Sequence, residues 1–298
     1  MSGHPGLGRV GGARKDVSVP AGVPAAPGLF GSVCGQPPAG PCVVAHRGAS
    51  QEAPEHTLAA YRRAILAGAD ALECDVRLTA DGHLVCVHDR RVDRTSDGRG
   101  VVSALELAEL AQLDFGTVVP GGPEDVDRDA RTILTLERLL QTVADAPRRV
   151  ALAVETKHPT RYAGLVERRL VACLDRFGWA HPRLGTTTPV RVMSFSTLSL
   201  RRIRELAPRL PTVALLDRVP LRMRDGSLPR GVQSAGPSID VLRAHPEYVA
   251  AAHAHGHPVH VWTVDDAGDV DLCVELEVDA IITNRPRMVL TRLGRSVG

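Results

Sequence analysis

Ionisable side chains stand at the ends of two apolar segments, spaced so that they share a face. In ALECDV (71–76) one residue separates Glu73 from Asp75, and in AVETK (153–157) one residue separates Glu155 from Lys157. Side chains two positions apart in a β-strand point to the same side of the sheet. Burying ionised carboxylates is costly unless a cation or hydrogen bonds compensate. A positive charge is therefore expected against these carboxylates.

The chemistry that these carboxylates could perform together is the binding of a hard divalent cation. If the two segments are strands that end side by side, Glu73, Asp75 and Glu155 form an all-oxygen site suited to Mg²⁺ or Ca²⁺. Zinc is less consistent with the sequence, because no His/Cys set has the usual ligand spacing. Each pair has a simpler interpretation when taken alone. The Glu-x-Asp pair could be a capping or salt-bridge element, and Lys157 could be only the ion-pair partner of Glu155.

Two histidines also lie at segment ends, where general acid–base chemistry would need them. His46 closes the apolar part of CVVAHRG (42–48), and His88 lies in LVCVHD (84–89). A single histidine at a strand end is more often a hydrogen-bonded structural residue, so the coincidence with the carboxylates is what favours function. A second group of histidines straddles a helix end and a strand, and these residues are interpreted as surface or incidental rather than as metal ligands. That group comprises His253, His255, His257 and His260.

Strand-like and helix-like segments alternate along most of the chain, which indicates parallel βαβ units. The predicted strands are 42–48, 71–76, 149–156, 191–196, 212–217, 236–240, 258–264 and 280–284. Eight such strands close a (β/α)8 barrel, in which active sites lie at the carboxyl ends of the strands. A doubly wound open sheet is the alternative, but no GxGxxG follows the first strand.

A ninth apolar segment, 84–89, follows the second strand after only ADGH. That connection is too short for a parallel crossover, and its Asp-Gly predicts an antiparallel hairpin arm. The segment of about 77–134 is therefore predicted to be an insertion after the second barrel strand.

Residues 1–41 are dense in Gly and Pro without periodicity and are predicted to be a disordered leader, with the barrel covering 42–298.

Composition excludes several classes of partner. The chain of 298 residues has 36 Lys+Arg against 34 Asp+Glu, no long basic run and only 3% aromatic residues. Neither a phosphate-backbone surface nor a base-stacking platform for nucleic acid is expected. No segment approaches the roughly 20 apolar residues of a transmembrane helix. With no signal-peptide pattern and six cysteines in no disulfide-like spacing, the protein is predicted to be cytoplasmic. The oligomeric state stays open.

Taken together, these segments resemble the glycerophosphodiester phosphodiesterase family, and in detail its actinobacterial cytosolic branch. The resemblance extends from Cys42 to about Pro286, and its order and spacing are more specific than any single element. The matching motifs are HRG (46–48), APEHT (53–57), ECDVRLTADG (73–82), LVCVHD (84–89), ETK (155–157), SFS (194–196), VWTV (261–264) and ITNRP (282–286).

The resemblance implies metal-dependent hydrolysis of glycerophosphodiesters to sn-glycerol 3-phosphate and an alcohol. The glycerol 2-hydroxyl attacks phosphorus in the family mechanism, and water then opens the cyclic phosphate. Which histidine is the base is left open, as are the preferred alcohol and the metal. The implied roles are an acid/base pair (His46, His88), metal ligands (Glu73, Asp75, Glu155), phosphate-contacting cations (Arg47, Lys157), a supporting carboxylate (Glu55) and rings beside the glycerol or alcohol (Phe195, Trp262).

Two departures from the family pattern are visible in the sequence. His56 stands where the family commonly has Asn after the Glu of its PENT segment, and Asp265 stands where Asn commonly follows WTV. Both are expected to affect substrate contacts rather than the chemistry. Two other functions are considered, a lysophospholipase D acting on single-chain lipids and a catalytically inactive barrel that binds a phosphate ligand. A purely structural module would leave the clustered charges at the strand ends unexplained.

Overall fold

A computed structural model of the chain describes residue 1 and residues 40–116 and 131–298. Most of the predicted leader, and part of the predicted insertion, lie outside these residues. Eight parallel strands and one antiparallel strand form a single sheet. The strands are β1 (Cys42–His46), β2 (Ala71–Leu78), β3 (Leu84–Cys86), β4 (Ala151–Thr156), β5 (Val190–Ser194), β6 (Thr212–Leu216), β7 (Ser234–Pro237), β8 (His260–Val261) and β9 (Ala280–Thr283).

The parallel strands follow the order β7-β6-β5-β4-β2-β1-β9-β8, and two isolated bridges join β8 back to β7. These bridges pair Ala235 with Val259 and Ser238 with Trp262. The strands are buried on both faces, which is why they are continuous runs of Val, Ala, Leu and Ile. The predicted (β/α)8 barrel is confirmed.

Helices on the outside connect the strands. They are α1 (Leu58–Ala67), α2 (Leu107–Leu110), α3 (Leu136–Ala144), α4 (Leu165–Arg176), α5 (Thr197–Leu206), α6 (Ile239–Ala244), α7 (Glu247–Ala254), α8 (Ala267–Glu275) and α9 (Pro286–Arg292). Several begin at a Ser or Thr whose side chain accepts a backbone N–H, as Thr57 does from Ala60. Each such cap ends a loop that runs from a strand to a helix, so it marks where the chain leaves the carboxyl end of the barrel.

Several predicted strands extend beyond the observed ones, as 258–264 does around β8, and the segment 236–240 shows one physical reason. The apolar pattern extends the strand over 236–240, but β7 ends at Pro237 and α6 begins at Ile239. Ser238 caps that helix by accepting a hydrogen bond from the Val241 N–H. A residue that can cap a helix stops the strand even though apolar residues continue beyond it.

The hairpin after β2 agrees with the Asp-Gly turn. β3 pairs antiparallel with β2, with Val76 opposite Cys86 and Leu78 opposite Leu84. A 3₁₀ turn (Val102–Ala104) and α2 follow before α3 begins.

The domain boundaries stay a prediction. No helix within the described ranges is long and apolar enough to cross a membrane.

Candidate active site

Three carboxylates from adjacent strands meet at the carboxyl end of the barrel. Glu73 and Asp75 lie on β2, and Glu155 lies on β4 directly opposite Asp75. One oxygen from each lies within 4.8 Å of the others, and all three side chains are buried. Among the described residues this is the one such cluster that could hold a metal ion. The structure thus brings together the three predicted metal ligands.

Three side chains neutralise Asp75. Lys157 Nζ lies 3.3 Å from Asp75 Oδ1, and His56 Nε2 lies 2.9 Å from Oδ2. Arg47 Nε lies 3.1 Å from Oδ2 as an ion pair, without forming a hydrogen bond. Burial opposes ionisation of Asp75, but the bond from His56 and the charges of Lys157 and Arg47 hold its pKa well below its usual range.

The other two carboxylates are short of positive charge. Burial and the neighbouring charge of Asp75 raise the pKa of Glu73 well above its usual value. The same two causes raise the pKa of Glu155 to about 8, although Lys157 Nζ lies 2.8 Å from its Oε1. Without a further cation the raised pKa of each group favours its protonated form. A hard divalent ion fits this oxygen-only set and would supply the missing positive charge.

His46 is held by a relay that runs from the end of β1 to the end of the neighbouring strand β9. Its Nδ1 lies 2.8 Å from Asn284 Oδ1, and Asn284 Nδ2 donates to Asp265 Oδ2 at 2.6 Å. Because a carboxylate only accepts, the amide nitrogen of Asn284 must face Asp265 and its oxygen must face His46. The His46 proton is therefore on Nδ1, which leaves Nε2 bare, 4.0 Å from Glu73 Oε2.

His88 is held in a similar way on the hairpin. Its Nδ1 donates to Asp89 Oδ1 at 2.7 Å, so Nε2 is again the unprotonated nitrogen of the neutral ring. The Arg77 guanidinium donates twice to the His88 carbonyl, at 2.9 and 2.7 Å, and fixes the backbone beneath the ring.

Burial and the adjacent Arg47 charge lower the pKa of His46 to about 4. Burial, opposed by the charge of Asp75, also lowers the pKa of His88. Both rings feel the charges of Asp75 and Arg47, so both face the same centre.

Glu55 ties the turn after β1 to the hairpin. It accepts hydrogen bonds from Arg47 at 3.1 Å and from both terminal nitrogens of Arg94 at 2.8 and 2.7 Å. Burial opposes ionisation of Glu55, but the Arg94 bonds and the Arg47 charge lower its pKa to about 2. Arg94 continues to Asp89 Oδ2 at 2.6 Å, and Asp89 holds His88. The hairpin histidine is therefore linked to the turn that carries His46 through one ion-pair network.

The HRG turn requires its glycine. Gly48 has φ +89°, and a Cβ there would lie 2.7 Å from the Ala60 backbone on α1. Arg47 itself has φ +57°, with its N–H donating to the Glu73 carboxylate at 3.1 Å. Only a residue without a side chain lets this turn sit against α1, and the turn aims His46 and Arg47 into the barrel mouth.

The two predicted aromatic residues form a pair at the same end of the barrel. The Phe195 and Trp262 ring centroids are 5.4 Å apart in an edge-to-face arrangement. The indole N–H donates to the Gly236 carbonyl at 2.6 Å, which orients the Trp262 ring. Phe195 is 46% exposed, so an apolar edge faces solvent beside the barrel mouth.

Four residues of the site have no part in the chemistry that the sequence predicts. His56 and Asp265 are interpreted from the sequence as departures affecting substrate contacts only, yet His56 bonds to Asp75 and Asp265 orients the His46 relay. Sequence reasoning misses Arg94 and Asn284, which lie in VHDRRVDRTS (87–96) and ITNRP (282–286). For Asn284 the available signal is a polar residue directly after a barrel strand, whereas Arg94 lies in the insertion and has no such signal.

The interpretation of the 253–260 histidines as surface or incidental is wrong for one of them. His260 is 1% exposed and lies 3.2 Å from an Arg191 nitrogen. It lies on β8, where inward positions are enclosed by the barrel wall. His253 pairs with the Asp279 carboxylate at 2.9 Å, and His257 pairs with the Gln233 carbonyl.

An eight-stranded barrel whose mouth combines buried carboxylates, two cations and two oriented imidazoles has the groups that phosphodiester hydrolysis needs. A family model described as "Glycerophosphoryl diester phosphodiesterase family" matches residues 46–288. The chain belongs to this family, which confirms the resemblance and the predicted class of enzyme.

Relatives in sequence and in structure agree with this family assignment. "Probable glycerophosphodiester phosphodiesterase 1" of Mycobacterium tuberculosis is 48% identical over 247 residues, covering 83% of this chain and 90% of that protein. A glycerophosphodiester phosphodiesterase of Bacillus subtilis is 32% identical over 248 residues, covering 82% and 83%. A phosphodiesterase of Oleispira antarctica, solved with the product sn-glycerol-3-phosphate, has a TM-score of 0.72 and 25% identity, covering 85% and 97%.

Proposed function

We propose that this protein hydrolyses glycerophosphodiesters to sn-glycerol 3-phosphate and an alcohol, with His46 and His88 as the acid/base pair. The single observation that carries the proposal is the arrangement of two oriented imidazoles around one acidic, cation-lined centre. The activity named for the mycobacterial relative supports it, as does the product bound to the Oleispira antarctica enzyme. A small-molecule substrate fits this site.

Glu73, Asp75 and Glu155 would hold the metal, and their oxygens favour Mg²⁺ or Ca²⁺. The bound ion would neutralise phosphate charge and stabilise the additional charge of the transition state. Arg47 and Lys157 each pair with Asp75 and would contact the non-bridging phosphate oxygens. Arg can donate to two oxygens at once, whereas Lys acts as a single point charge.

His46 suits the role of base. Its pKa of about 4 keeps it neutral at physiological pH, and the relay leaves Nε2 free to take a proton from the glycerol 2-hydroxyl. His88 suits the role of acid, because the bond to Asp89 offsets part of the lowering of its pKa by burial and the ring is 34% exposed. Water would then open the cyclic phosphate with the two roles exchanged.

The remaining site residues have supporting roles. Glu55 would hold Arg47 and the hairpin in place, through its bonds to Arg47 and Arg94. Phe195 and Trp262 would provide an apolar wall for the carbon side of the glycerol. An inactive phosphate-binding barrel is disfavoured, because the two oriented imidazoles and three clustered carboxylates support turnover. A cytoplasmic location stays a prediction.

The test is hydrolysis of glycerophosphocholine, followed by release of sn-glycerol 3-phosphate. We expect chelation by EDTA to abolish turnover and Mg²⁺ or Ca²⁺ to restore it. His46→Ala and His88→Ala should each lower kcat by about 10²–10⁴-fold, the usual contribution of an acid or base. His181→Ala, at an exposed histidine between α4 and β5, is the matched control. Undiminished turnover in either active-site variant would remove that histidine from the mechanism.

A further inference from the structure

A cavity of about 220 Å³ opens beside the candidate active site and is lined by cations. Arg77 and Lys157 form its inner side, and Arg90 and Arg161 form its outer side. Within the described part of the chain no acidic residue lines it, and Arg77, Arg90 and Arg161 form no ion pair there. Lys157 is paired with Asp75 and Glu155, but the three arginines have no carboxylate partner in the residues that the structure describes and repel one another, so the cavity favours an anionic occupant.

The cavity adjoins the reaction centre through Lys157. Lys157 lies in both, with its Nζ 2.8 Å from Glu155 and its side chain against the cavity. Arg77 donates to the His88 carbonyl, and Arg90 follows His88 by two residues. If His88 protonates the departing alcohol, that alcohol extends toward these cations.

The outer wall is held by specific contacts and is not a chance gap. Tyr162 donates from its hydroxyl to the Ser103 carbonyl at 2.9 Å, joining the loop after β4 to the 3₁₀ turn of the insertion. The Arg161 guanidinium lies 5.6 Å from the centroid of the Tyr162 ring, and both residues line the cavity. The cavity is smaller than the roughly 300–1,000 Å³ of sites for drug-sized ligands, so it fits a small head group and not an acyl chain.

We infer that this cavity is a subsite for the leaving alcohol, selecting glycerophosphodiesters whose alcohol carries an anionic group such as a phosphate monoester. The inference rests on the proposed function and specifies its substrate class. The terminal anion would contact Arg90 and Arg161, while Arg77 and Lys157 keep their positions around the centre.

The test compares two diesters that differ by one phosphate, glycerophosphoglycerol and the same compound with a terminal phosphate monoester. We expect kcat/KM to be about tenfold higher for the phosphorylated diester, since each exposed ion pair contributes up to about fivefold. Loss of the diester signal in ³¹P NMR measures both reactions directly. Glycerophosphocholine, with a cationic alcohol, should be the poorest of the three.

The double variant Arg90→Gln/Arg161→Gln should remove the preference while leaving kcat/KM for glycerophosphoglycerol unchanged. Arg209→Gln, at an exposed arginine between α5 and β6, is the matched control and should keep the full preference. Equal kcat/KM for the two diesters in the wild-type protein would overturn the subsite while leaving the proposed function intact.

If neither diester is cleaved, a binding measurement decides whether the cavity is a subsite for an anionic alcohol. Titration calorimetry in EDTA gives the Kd of the phosphorylated diester for the wild-type protein and for the double variant. We expect about tenfold weaker binding by the double variant, from the same two ion pairs, and an unchanged Kd would overturn the subsite. Absence of cleavage with the expected difference in Kd would instead contradict the proposed function.

Discussion

Replacing Asp265 by asparagine exchanges one carboxylate oxygen for an amide nitrogen, at a point where Asn284 donates a hydrogen bond. Asp265 Oδ1 accepts from the Asn284 backbone N–H at 2.8 Å and from Thr283 Oγ1 at 2.9 Å, so an asparagine oxygen would remain there. Its NH₂ would then face the Asn284 NH₂ across 2.6 Å. Two donors cannot bond to each other, and the Asn284 amide would rotate to present its oxygen instead.

Rotation of the Asn284 amide would move the ring proton of His46 from one nitrogen to the other. The Asn284 NH₂ would face His46 Nδ1, which would have to become an acceptor, and the ring proton would move to Nε2. That nitrogen could then no longer take a proton from substrate. The substitution introduces the residue that the family commonly has at this position, so the expected damage is specific to the Asp265–Asn284 pairing of this chain.

The magnitude follows from the bond that would be lost. A hydrogen bond to a charged group contributes roughly 1.5–3 kcal/mol, and this energy now favours the productive orientation of Asn284. At about 1.36 kcal/mol per factor of ten, its reversal leaves the productive tautomer as a minor species. We therefore expect Asp265→Asn to lower kcat about 10–100-fold with little change in KM.

The double variant Asp265→Asn/Asn284→Asp provides the decisive control. The asparagine introduced by the first substitution would donate to the carboxylate introduced by the second. That carboxylate would accept from His46 Nδ1–H, so kcat should recover most of the loss. NMR of protein labelled with ¹⁵N-histidine would show which ring nitrogen carries the proton in each variant. A single variant with wild-type kcat, or a double variant no better than the single, would refute the relay.

Three further outcomes are expected. Because Glu155 with its pKa of about 8, and Glu73 with its raised pKa, must lose protons to bind a metal, Mg²⁺ affinity should rise as the pH passes through about 8, with proton release seen by calorimetry in two buffers. His56→Ala should weaken metal binding about 10–100-fold by removing a partner of Asp75, whereas His56→Asn should weaken it less. Gly48→Ala should lower the free energy of unfolding by more than about 2 kcal/mol in urea titration, because the Cβ would clash with Ala60. Gly256→Ala, with φ +73° but nothing within 4 Å, should cost only about 1 kcal/mol.

These expectations can each be contradicted by one result. Metal affinity that stays constant as the pH passes through the Glu155 pKa of about 8 would show that Glu155 is not a ligand. Equal metal affinity in His56→Ala and the wild type would show that the bond to Asp75 does not support the site. Equal destabilisation by the two glycine substitutions would show that backbone strain, and not the contact with Ala60, explains the need for Gly48.

The sequence is sufficient to predict the barrel and its acidic cluster because both depend on local patterns. Strand and helix periods alternate regularly, and the spacing of Glu73 and Asp75 places both on one face before any tertiary contact is known. The Asp-Gly turn identifies the hairpin arm for the same reason. Such features are encoded within about ten residues of one another.

The relay to His46 could not be predicted in this way. Asn284 follows the last barrel strand, 238 positions from His46, and the two meet only because β9 pairs with β1 on closure. His56 is misleading for another reason, since its role depends on a positive φ of 61° that turns the ring back toward Asp75. Hydrogen-bond geometry across strands is a tertiary property, and residue type alone does not determine it.

The junction between β7 and β8 gives the barrel wall a seam. β8 is two residues long, and isolated bridges rather than a continuous ladder join it to β7. Local opening of the barrel wall should therefore begin at this junction, where amide hydrogen exchange should be faster than in β2 or β4. Trp262 spans that seam through its indole bond to Gly236, so fluorescence of one of only two tryptophans would report the opening from within the protein itself.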